Sequence, residues 1–265
     1  MNQTVGIIGY GFVGKAVANS FITTNQIILK IHDPAYPELS EPVESLLDCD
    51  AIFVCVPTNQ LADGSCNTDA LKTTLQILAG YSGIVICKST APPDVYRNLQ
   101  NTTGLRLVHA PEFLTAKNAT LDYLYPSKIV IGTDSTALAN DAAKFILPYV
   151  NFSGSIDFCS IEEAAMFKYV ANTMLAMKVI INNEYAELCE KLGINWSAVS
   201  KIAETDIRLG VTHWQVPGPD GKHGFGGACF PKDTSALVDV AASVGVEMSM
   251  LTNAIRKNSN LRDDI

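Results

Sequence analysis

The fold is decided by residues 5–14, VGIIGYGFVG, an apolar run that ends in glycines at positions 9, 11 and 14. The run predicts a buried strand, and residues 13–21 predict a helix directly after it. In such a strand–turn–helix unit, Gly9 permits the tight turn, Gly11 lets a pyrophosphate approach the backbone, and Gly14 lets the helix pack on the strand. The stretch therefore predicts a dinucleotide site, and the alternative is a glycine-rich turn without a ligand.

An acidic residue follows the second predicted strand. Residues 27–32 form that strand, and Asp33 comes directly after it, where a carboxylate can bind both hydroxyls of an adenosine ribose. Residues 34–36 contain no arginine that could hold a 2′-phosphate, so the sequence favours NAD over NADP. The cofactor-binding residues expected in this region are Gly9, Gly11, Phe12, Val13, Gly14 and Asp33.

Strands and helices alternate through the first 157 residues. Nearly continuous apolar runs, typical of parallel strands covered on both faces, predict further strands at 51–56, 83–87, 105–109 and 128–132. Helices are predicted between the strands, at 13–21, 68–78, 94–100 and 135–147. This alternation predicts an α/β fold with a doubly wound parallel sheet of the Rossmann type.

The pattern changes to helices alone after residue 157. Residues 162–192 predict one long helix, because apolar residues recur at three- and four-residue spacing and the first helix-breaking residue is Gly193. A loop rich in Gly and Pro, 210–231, separates shorter helices that are predicted at 196–204, 233–244 and 249–261. We therefore expect an NAD-binding domain at 1–157 and an all-helical dimerisation and substrate domain, with a long central helix, at 158–265.

Composition excludes several classes of protein. The chain has 265 residues, of which 48% are hydrophobic and 17% charged, so it is not disordered. Its net charge of −8, with no long basic run, argues against nucleic acid or an anionic membrane as a partner. Seven scattered cysteines without a CxxC pair predict no metal site and a reducing, cytoplasmic location. No run approaches the ~18 apolar residues that span a bilayer, and the N-terminus does not resemble a signal peptide.

The segment 225–233, FGGACFPKD, offers a nucleophile. Pro231 suits the first turn of a helix because its missing N–H needs no partner there, so Cys229 would lie at the positive end of a helix dipole. A thiol whose pKa falls from about 8.5 to 7 has roughly fifteen times more thiolate at neutral pH. From this segment alone, a buried structural cysteine beside a turn stays an open alternative.

A lysine and an asparagine share one face of the predicted long helix. Lys168 and Asn172 are four residues apart and stand among apolar residues. An amine and an amide in such surroundings could together stabilise a developing oxyanion by charge and hydrogen bonding. The alternative is a solvated lysine at the helix edge with an asparagine that only packs.

Three further segments follow predicted strands. They are CVPT at 55–58, KSTAPP at 88–93 and PEFL at 111–114. Ligands of doubly wound sheets bind at the carboxyl ends of the strands, so these segments are expected to line the site, and Glu112 in the last is a candidate base. Each one alone is also an ordinary loop that contains proline.

Together these motifs resemble the UDP-glucose/GDP-mannose dehydrogenase family. The likeness runs over nearly the whole chain, through GYGFVG, CVPT, KSTAPP, PEFL, EEAAMFKYVANTMLAMK and GFGGACFPKD. The resemblance implies a four-electron oxidation of a nucleotide sugar, most like that of UDP-glucose to UDP-glucuronate, by two hydride transfers to NAD. It also implies a homodimer.

The resemblance implies a role for each matching side chain. Cys229 resembles the family's nucleophile, Lys168 and Asn172 its oxyanion-stabilising pair, and Asp233 a supporting acid or base. The chemistry agrees, because an aldehyde has no second hydride to give until a thiolate adds to it. The resulting hemithioacetal oxygen needs a cation and a hydrogen-bond donor, and the thioester that follows is hydrolysed by water.

Other roles come from the same resemblance. Glu112 is similar to a glutamate that works through a water or through a threonine, here Thr90, and Arg208 is similar to an arginine that reaches the substrate of a dimer partner. The further expected cofactor-binding residues are Val56, Pro57, Thr58, Ser89, Thr90 and Lys232. The expected substrate-binding residues are Phe113, Leu114, Lys168, Asn172, Arg208, Phe225, Gly226 and Gly227.

Two features depart from the family. Ala116 stands where members usually carry a second glutamate, and the C-terminal domain that binds the nucleotide half of the substrate is expected to be absent. Two other hypotheses therefore stay open. One is a single-step dehydrogenase of the 3-hydroxyacid type, which needs no thiol. The other is a non-catalytic, NAD-binding and dimerising subunit that pairs with a separate nucleotide-binding chain.

Overall fold

The computed structural model of the protein describes residues 3–22 and 27–264. The chain forms two compact units, the first of Met1–Asn59 with Asn67–Lys168 and the second of Gln60–Cys66 with Tyr169–Ile265. These units divide inside the long helix rather than at residue 157, and the domain boundary at that residue stays a prediction.

The first unit is built on a sheet that has seven strands in the described part of the chain. Along the sheet the strands run β2-β1-β3-β4-β5-β6-β7. Their bounds are β1 Gln3–Ile8, β2 Ile27–His32, β3 Ala51–Val54, β4 Ile84–Cys87, β5 Arg106–His109, β6 Lys128–Gly132 and β7 Ser155–Cys159. Strands β1 to β5 pair in parallel, β6 meets β5 antiparallel at a single position, and β7 is parallel to β6. The predicted Rossmann-type α/β fold is confirmed.

The sheet differs from the prediction at its far edge. Strand β7 was not predicted, because its residues are exposed or half-buried and do not form a continuous apolar run. As an edge strand it presents Phe158 and Asp157 to solvent, and Asp157 pairs with Lys128 of β6. The antiparallel pairing of β5 with β6 likewise cannot be predicted from the pattern of apolar residues.

Five helices in the described part of the first unit cover the two faces of the sheet. They are α1 Phe12–Ile22, α2 Asp69–Ile77, α3 Pro93–Thr103, α4 Ala119–Leu124 and α5 Thr136–Ala143. Helices α1, α4 and α5 pack on one face, and α2 and α3 pack on the other. The prediction missed α4, whose six residues are too few to show a helical period, and it extended α5 into a 3-10 turn at Leu147–Tyr149.

Helices make up the second unit. Helix α6 spans Ile161–Leu192 and begins in the first unit, and α7 Trp196–Ala203, α8 Phe230–Ser243 and α9 Ser249–Leu261 follow. The predicted long helix is confirmed. Helix α8 starts three residues earlier than predicted, because Pro231 fits inside its first turn, and Cys229 is therefore the residue that caps the helix.

Helix α6 is long and apolar enough to cross a membrane by length and composition alone, with an 18-residue window of mean hydropathy 1.3. The expectation from the sequence concerned uninterrupted apolar runs, which is a different measure from the mean hydropathy of a window. In that window 44% of the residues are buried inside the protein. Core helices pass the same test, and two polar residues of α6, Lys168 and Asn172, are buried.

The contact between β6 and α6 gives the first testable prediction. A Cβ added at Gly132 would overlap the Ala164 side chain and would lie 3.0 Å from the Ser160 carbonyl oxygen. Because the interior is close-packed, we expect Gly132→Ala to destabilise the protein by about 1–3 kcal/mol. Urea unfolding measures this loss. An unchanged midpoint would contradict the packing described for this contact.

Candidate active site

The glycine turn after β1 leaves an open space for a ligand. Gly9 has a φ of +91°, and a Cβ there would lie 2.5 Å from the Cys55 carbonyl oxygen at the end of β3. A Cβ on Gly14 would overlap the carbonyl of Gly9 itself. A Cβ on Gly11, in contrast, would meet no described atom within 4 Å. The turn therefore has no room for a side chain at Gly9 and Gly14 and has open space beside Gly11, as a pyrophosphate site requires.

Asp33 ties the end of β2 to this turn. Its carboxylate accepts hydrogen bonds from the Tyr10 N–H at 2.5 Å and from the Ala35 N–H at 2.8 Å. A carboxylate has about four acceptor positions, so both oxygens keep capacity for ribose hydroxyls. The residues present at the turn and at Asp33 therefore fit a dinucleotide.

A lysine beside Asp33 was missed by the sequence analysis. The Lys15 ammonium donates to the Tyr36 hydroxyl at 2.8 Å and lies 4.4 Å from the centre of the Tyr36 ring. This hydrogen bond to Tyr36 raises the pKa of Lys15. The rings of Tyr10 and Tyr36 meet edge to face at 5.7 Å. The sequence contains a signal for this residue, because Lys15 directly follows the last glycine of the motif. The prediction had considered only an arginine after Asp33.

The loops after β3 and β4 are joined by side-chain hydrogen bonds. The Ser89 hydroxyl donates to the Val56 carbonyl at 2.7 Å, and the Thr58 hydroxyl donates to the Thr90 carbonyl at 2.6 Å. Four of the predicted cofactor-binding residues are thus held together. Of the others in this unit, Phe12 and Val13 open α1 and Pro57 lies in the loop after β3.

Glu112 and Lys168 form a buried ion pair. The Lys168 ammonium donates to the Glu112 carboxylate at 2.8 Å and to the Glu112 carbonyl at 2.6 Å, and the two side chains are only 3% and 6% exposed. The second carboxylate oxygen accepts from the Leu114 N–H at 2.7 Å, and the Phe113 ring lies 5.4 Å from the ammonium. Each charge is therefore compensated, as burial demands.

A second lysine is buried in the same unit. Lys88 follows β4 directly and is 6% exposed, and burial lowers its pKa from 10.5 to about 8. Its ammonium lies 5.4 Å from the centre of the Tyr123 ring. The sequence analysis quoted Lys88 in a motif but gave it no role. Its position at the carboxyl end of a buried strand was the available signal.

The second unit gathers its own polar group at the start of α8. Cys229 caps the helix, and its carbonyl accepts the Asp233 N–H at 2.8 Å. The buried Asp233 carboxylate accepts from the Asn172 amide of α6 at 2.5 Å and pairs with the Lys232 ammonium. These four residues were named from the sequence, and the structure brings them together within one unit.

The glycine loop before Cys229 is held by residues that sequence reasoning missed. The Asn258 amide of α9 accepts from the Phe225 N–H at 2.7 Å and donates to the Phe225 carbonyl at 2.9 Å. Asn183 of α6 accepts the Gly224 N–H at 3.2 Å. A Cβ on Gly226 would lie 2.6 Å from the Arg262 guanidinium, so a side chain there would require Arg262 to move. The residues that hold this loop, Asn183, Asn258 and Arg262, are not part of any short motif in the sequence.

Arg208 lies in the exposed segment after α7. Its guanidinium binds the Asp206 carboxylate at 2.5 Å and is 84% exposed, and that hydrogen bond raises the pKa of Arg208.

The predicted loop residue Gly227 has a φ of +77°, which favours glycine. None of the seven cysteines, all within the described ranges, forms a disulfide.

The glycine turn generates the second prediction. Gly11→Ala leaves the fold intact because its Cβ meets open space, but the methyl group occupies the approach to the phosphates. We expect NAD affinity to fall at least about tenfold, roughly 1.4 kcal/mol, with an unchanged melting temperature. Calorimetric titration and thermal unfolding measure the two effects. Gly14→Ala is the matched variant, and it should lose stability as well. Wild-type affinity in Gly11→Ala would exclude the turn as the phosphate site.

Two family models match the chain. Residues 162–260 match the central domain of the UDP-glucose/GDP-mannose dehydrogenase family, and residues 38–148 match the NAD binding domain of the same family. The NAD cofactor expected from the sequence is thereby confirmed.

Known proteins agree with these models. A UDP-glucose 6-dehydrogenase of Haloferax volcanii is 29% identical over 96% of this chain and 69% of its own length. One of Bacillus subtilis is 31% identical over 82% of this chain and 50% of its own length. The chain thus spans about half to two thirds of the length of such relatives.

Solved structures show the same fold. A UDP-glucose dehydrogenase of Pyrobaculum islandicum has a TM-score of 0.83 at 24% identity, over 98% of this chain and 68% of that one. A 3-hydroxyisobutyrate dehydrogenase of Mycobacterium tuberculosis has a TM-score of 0.77 at 19% identity, over 98% and 94%. The fold alone is therefore shared by two kinds of dehydrogenase. The two family models decide between them, and the chain belongs to the UDP-glucose/GDP-mannose dehydrogenase family.

Proposed function

We propose that this chain catalyses the NAD-dependent, four-electron oxidation of a nucleotide sugar, UDP-glucose to UDP-glucuronate, through a covalent intermediate on Cys229. The observation that carries the proposal is the start of α8. There Cys229 caps the helix, and Asp233, one turn further, is hydrogen-bonded to Asn172. Thiol, carboxylate and amide are the groups that thioester chemistry on an aldehyde requires.

The glycine turn and Asp33 would hold the pyrophosphate and the adenosine ribose of NAD, and the Ser89 and Thr90 loop would line its other half. When bound, NAD accepts the hydride that leaves the substrate carbon. The first oxidation also releases the hydroxyl proton of the alcohol. Glu112 is the proposed base for this proton, directly or through a water or the Thr90 hydroxyl.

Cys229 acts on the aldehyde that results. Its thiolate adds to the carbonyl carbon, and the new oxyanion is stabilised by Lys168 and Asn172. Loss of a second hydride converts the hemithioacetal to a thioester, and water cleaves the thioester to a carboxylate and the free thiol. The overall reaction consumes one water and two NAD⁺ and releases two NADH and three protons. Asp233, held by Lys232 and Asn172, is the proposed acid or base beside the sulfur.

The buried ion pair suits two of these roles. An ammonium that is already dehydrated and held by Glu112 needs little reorganisation to meet a developing negative charge. The neighbouring residues Phe113 and Leu114 and the glycine loop at 225–227 are proposed to contact the sugar. Arg208, exposed on its loop, is proposed to reach the substrate of a partner subunit.

A homodimer is the proposed assembly, because large apolar side chains of the second unit are exposed. In α6 and α7 they include Met174, Leu188, Leu192 and Ile202, between 55% and 73% exposed. Large apolar side chains left exposed in this number are typical of an association surface. The proposed compartment is the cytoplasm, where seven thiols that form no disulfide stay reduced.

Two alternatives are tested alongside the proposal. A single-step 3-hydroxyacid-type dehydrogenase agrees with the fold shared with the Mycobacterium tuberculosis enzyme, but it has no use for Cys229. A non-catalytic, dimerising subunit that works with a separate nucleotide-binding chain would bind NAD without turning over a sugar alone.

The third prediction tests the chemistry. With UDP-glucose as substrate we expect two NADH per sugar consumed, because the aldehyde stays bound to Cys229 until it is oxidised. Cys229→Ala should lower kcat by at least about a thousandfold, since the nucleophile is removed. Absorbance at the NADH band and chromatography of the sugar measure yield and rate. UDP-N-acetyl sugars and GDP-mannose, run in parallel, identify the nucleotide sugar.

The matched control is Cys189→Ala, a partly buried cysteine of α6 that should keep wild-type activity. One NADH per sugar, or full activity of Cys229→Ala, would favour the single-step enzyme. NAD binding without turnover of any sugar by the purified chain would favour the non-catalytic subunit.

The fourth prediction tests the assembly. Replacing the exposed apolar residue Met174 by glutamate places a charge on the proposed contact surface, and we expect the dimer to dissociate. Light scattering coupled to size-exclusion chromatography measures the mass. Lys201→Glu, an exposed lysine of α7, is the control for charge alone. A wild-type chain that is monomeric at micromolar concentration would overturn the proposal.

A further inference from the structure

We infer that Lys178 of α6 is a positioning residue for Arg208, because its ammonium holds the backbone of the Arg208 segment, residues 207–214. Lys178 ends the motif EEAAMFKYVANTMLAMK, and the proposed reaction gives it no role. The inference rests on the proposed function, in which Arg208 reaches the substrate of a partner subunit. Lys178 and the Arg208 segment both lie in the second unit.

The ammonium of Lys178 is bound by backbone carbonyls of the Arg208 segment. It donates to the carbonyl oxygens of Leu209 at 3.0 Å, Gly210 at 3.2 Å and Thr212 at 2.5 Å. An ammonium carries three protons, so Lys178 has an acceptor for each of them on this one segment. Hydrogen bonds from a charged donor are stronger than those from a neutral one. A cation of α6 therefore anchors the backbone next to Arg208.

Two further side chains complete the anchor. The Trp214 ring is 8% exposed and lies 4.1 Å from the Lys178 ammonium, which the negative face of an indole attracts. The Trp214 N–H donates to the Gly210 carbonyl at 2.7 Å. Asn182, one turn after Lys178 on α6, donates its amide to the His213 carbonyl at 2.9 Å. Side chains of α6 therefore hold four carbonyls of the segment.

The Arg208 segment has little else to fix its conformation. It contains neither helix nor strand, and the apolar side chains of Ile207, Leu209 and Val211 are 92%, 50% and 70% exposed. His213 has a φ of +66°, a conformation that is uncommon for a residue with a side chain and that persists only where surrounding contacts enforce it. Burial of these apolar side chains therefore does not hold the backbone around Arg208, whereas the polar contacts with α6 do.

A fixed backbone matters to Arg208 because its side chain is long and free of packing. The guanidinium is 84% exposed and pairs with Asp206, two residues earlier. Such a side chain binds a distant group well only when its starting point is fixed in advance, since ordering it at the moment of binding costs affinity. Lys178 is assigned no contact with the substrate. Its effect on the reaction therefore passes through Arg208 and should vanish when Arg208 is removed.

The experiment is a double-mutant cycle on kcat/KM with UDP-glucose. Lys178→Met keeps the length of the side chain but loses its charge and its protons. We expect it to lower kcat/KM about tenfold, chiefly through a higher KM for the sugar, with the KM for NAD within about twofold of the wild type. In an Arg208→Ala background the same substitution should cost less than about twofold, because the group that it positions is absent.

A milder variant repeats the test. Trp214→Phe keeps an aromatic ring but loses the N–H that binds Gly210. It should lower kcat/KM about threefold, and this loss should also disappear in the Arg208→Ala background. The control is Lys201→Met, which removes an exposed lysine of α7 and should keep wild-type kcat/KM.

Trypsin gives a readout that needs no turnover. Cleavage of the peptide bond after Arg208 requires the segment to open locally, so Lys178→Met should be cut there at least about fivefold faster than the wild type. Mass spectrometry identifies the cleaved bond and its rate. Lys201→Met should be cut after Arg208 at the wild-type rate.

Additive losses in the cycle, or a fully active Arg208→Ala, would overturn the inference. So would wild-type kcat/KM in Lys178→Met. Cleavage of Lys178→Met after Arg208 at the wild-type rate would also contradict it, because the segment would then be held without the lysine. A wild-type chain that oxidises no nucleotide sugar overturns the proposed function instead, and the cleavage rates then still decide whether Lys178 holds the segment.

Discussion

A buried charge must be met by an opposite charge or a hydrogen-bond partner, and helix α6 is arranged around this constraint. Lys168 is matched by Glu112 in the first unit, and Asn172, one turn later, is matched by Asp233 in the second. Neither polar side chain could be buried alone without a loss of several kcal/mol. The two contacts fix the direction of the amine and of the amide, and they place a carboxylate next to each of them.

The same constraint links stability to chemistry. Groups that are already dehydrated and oriented stabilise a transition state without first being freed from water. The cluster at the start of α8 is of this kind, since Asp233 is held by a lysine, an amide and the first turn of its own helix. Lys88 is buried as well, and burial lowers the pKa of its amine to about 8.

The family models divide the chain much as its architecture does. The NAD binding domain matches residues 38–148, and the central domain matches residues 162–260, which include nearly all of α6. The glycine turn, with no room for a side chain at Gly9 and Gly14 and open space at Gly11, precedes the first of these matches. The fold itself is shared with a 3-hydroxyisobutyrate dehydrogenase, so it does not select the reaction. In the proposed reaction the selection is made by side chains, and Cys229 is the residue that a single-step oxidation would not need.

The sequence by itself determined the layered fold, the long helix and the dinucleotide turn. It also identified most residues of the Glu112–Lys168 pair and of the polar group at the start of α8. These features are local: apolar period, glycine spacing and short motifs are written in consecutive residues. Only the tertiary structure decided which partner each polar group takes. The pairing of Lys168 with Glu112, 56 positions apart, the clamp of Asn258 on Phe225, and the edge strand β7 all depend on contacts between distant segments. Lys88 shows the limit most clearly, because a lysine after a strand is ordinary in a sequence. Its burial beside the Tyr123 ring exists only once the surrounding segments have packed around it.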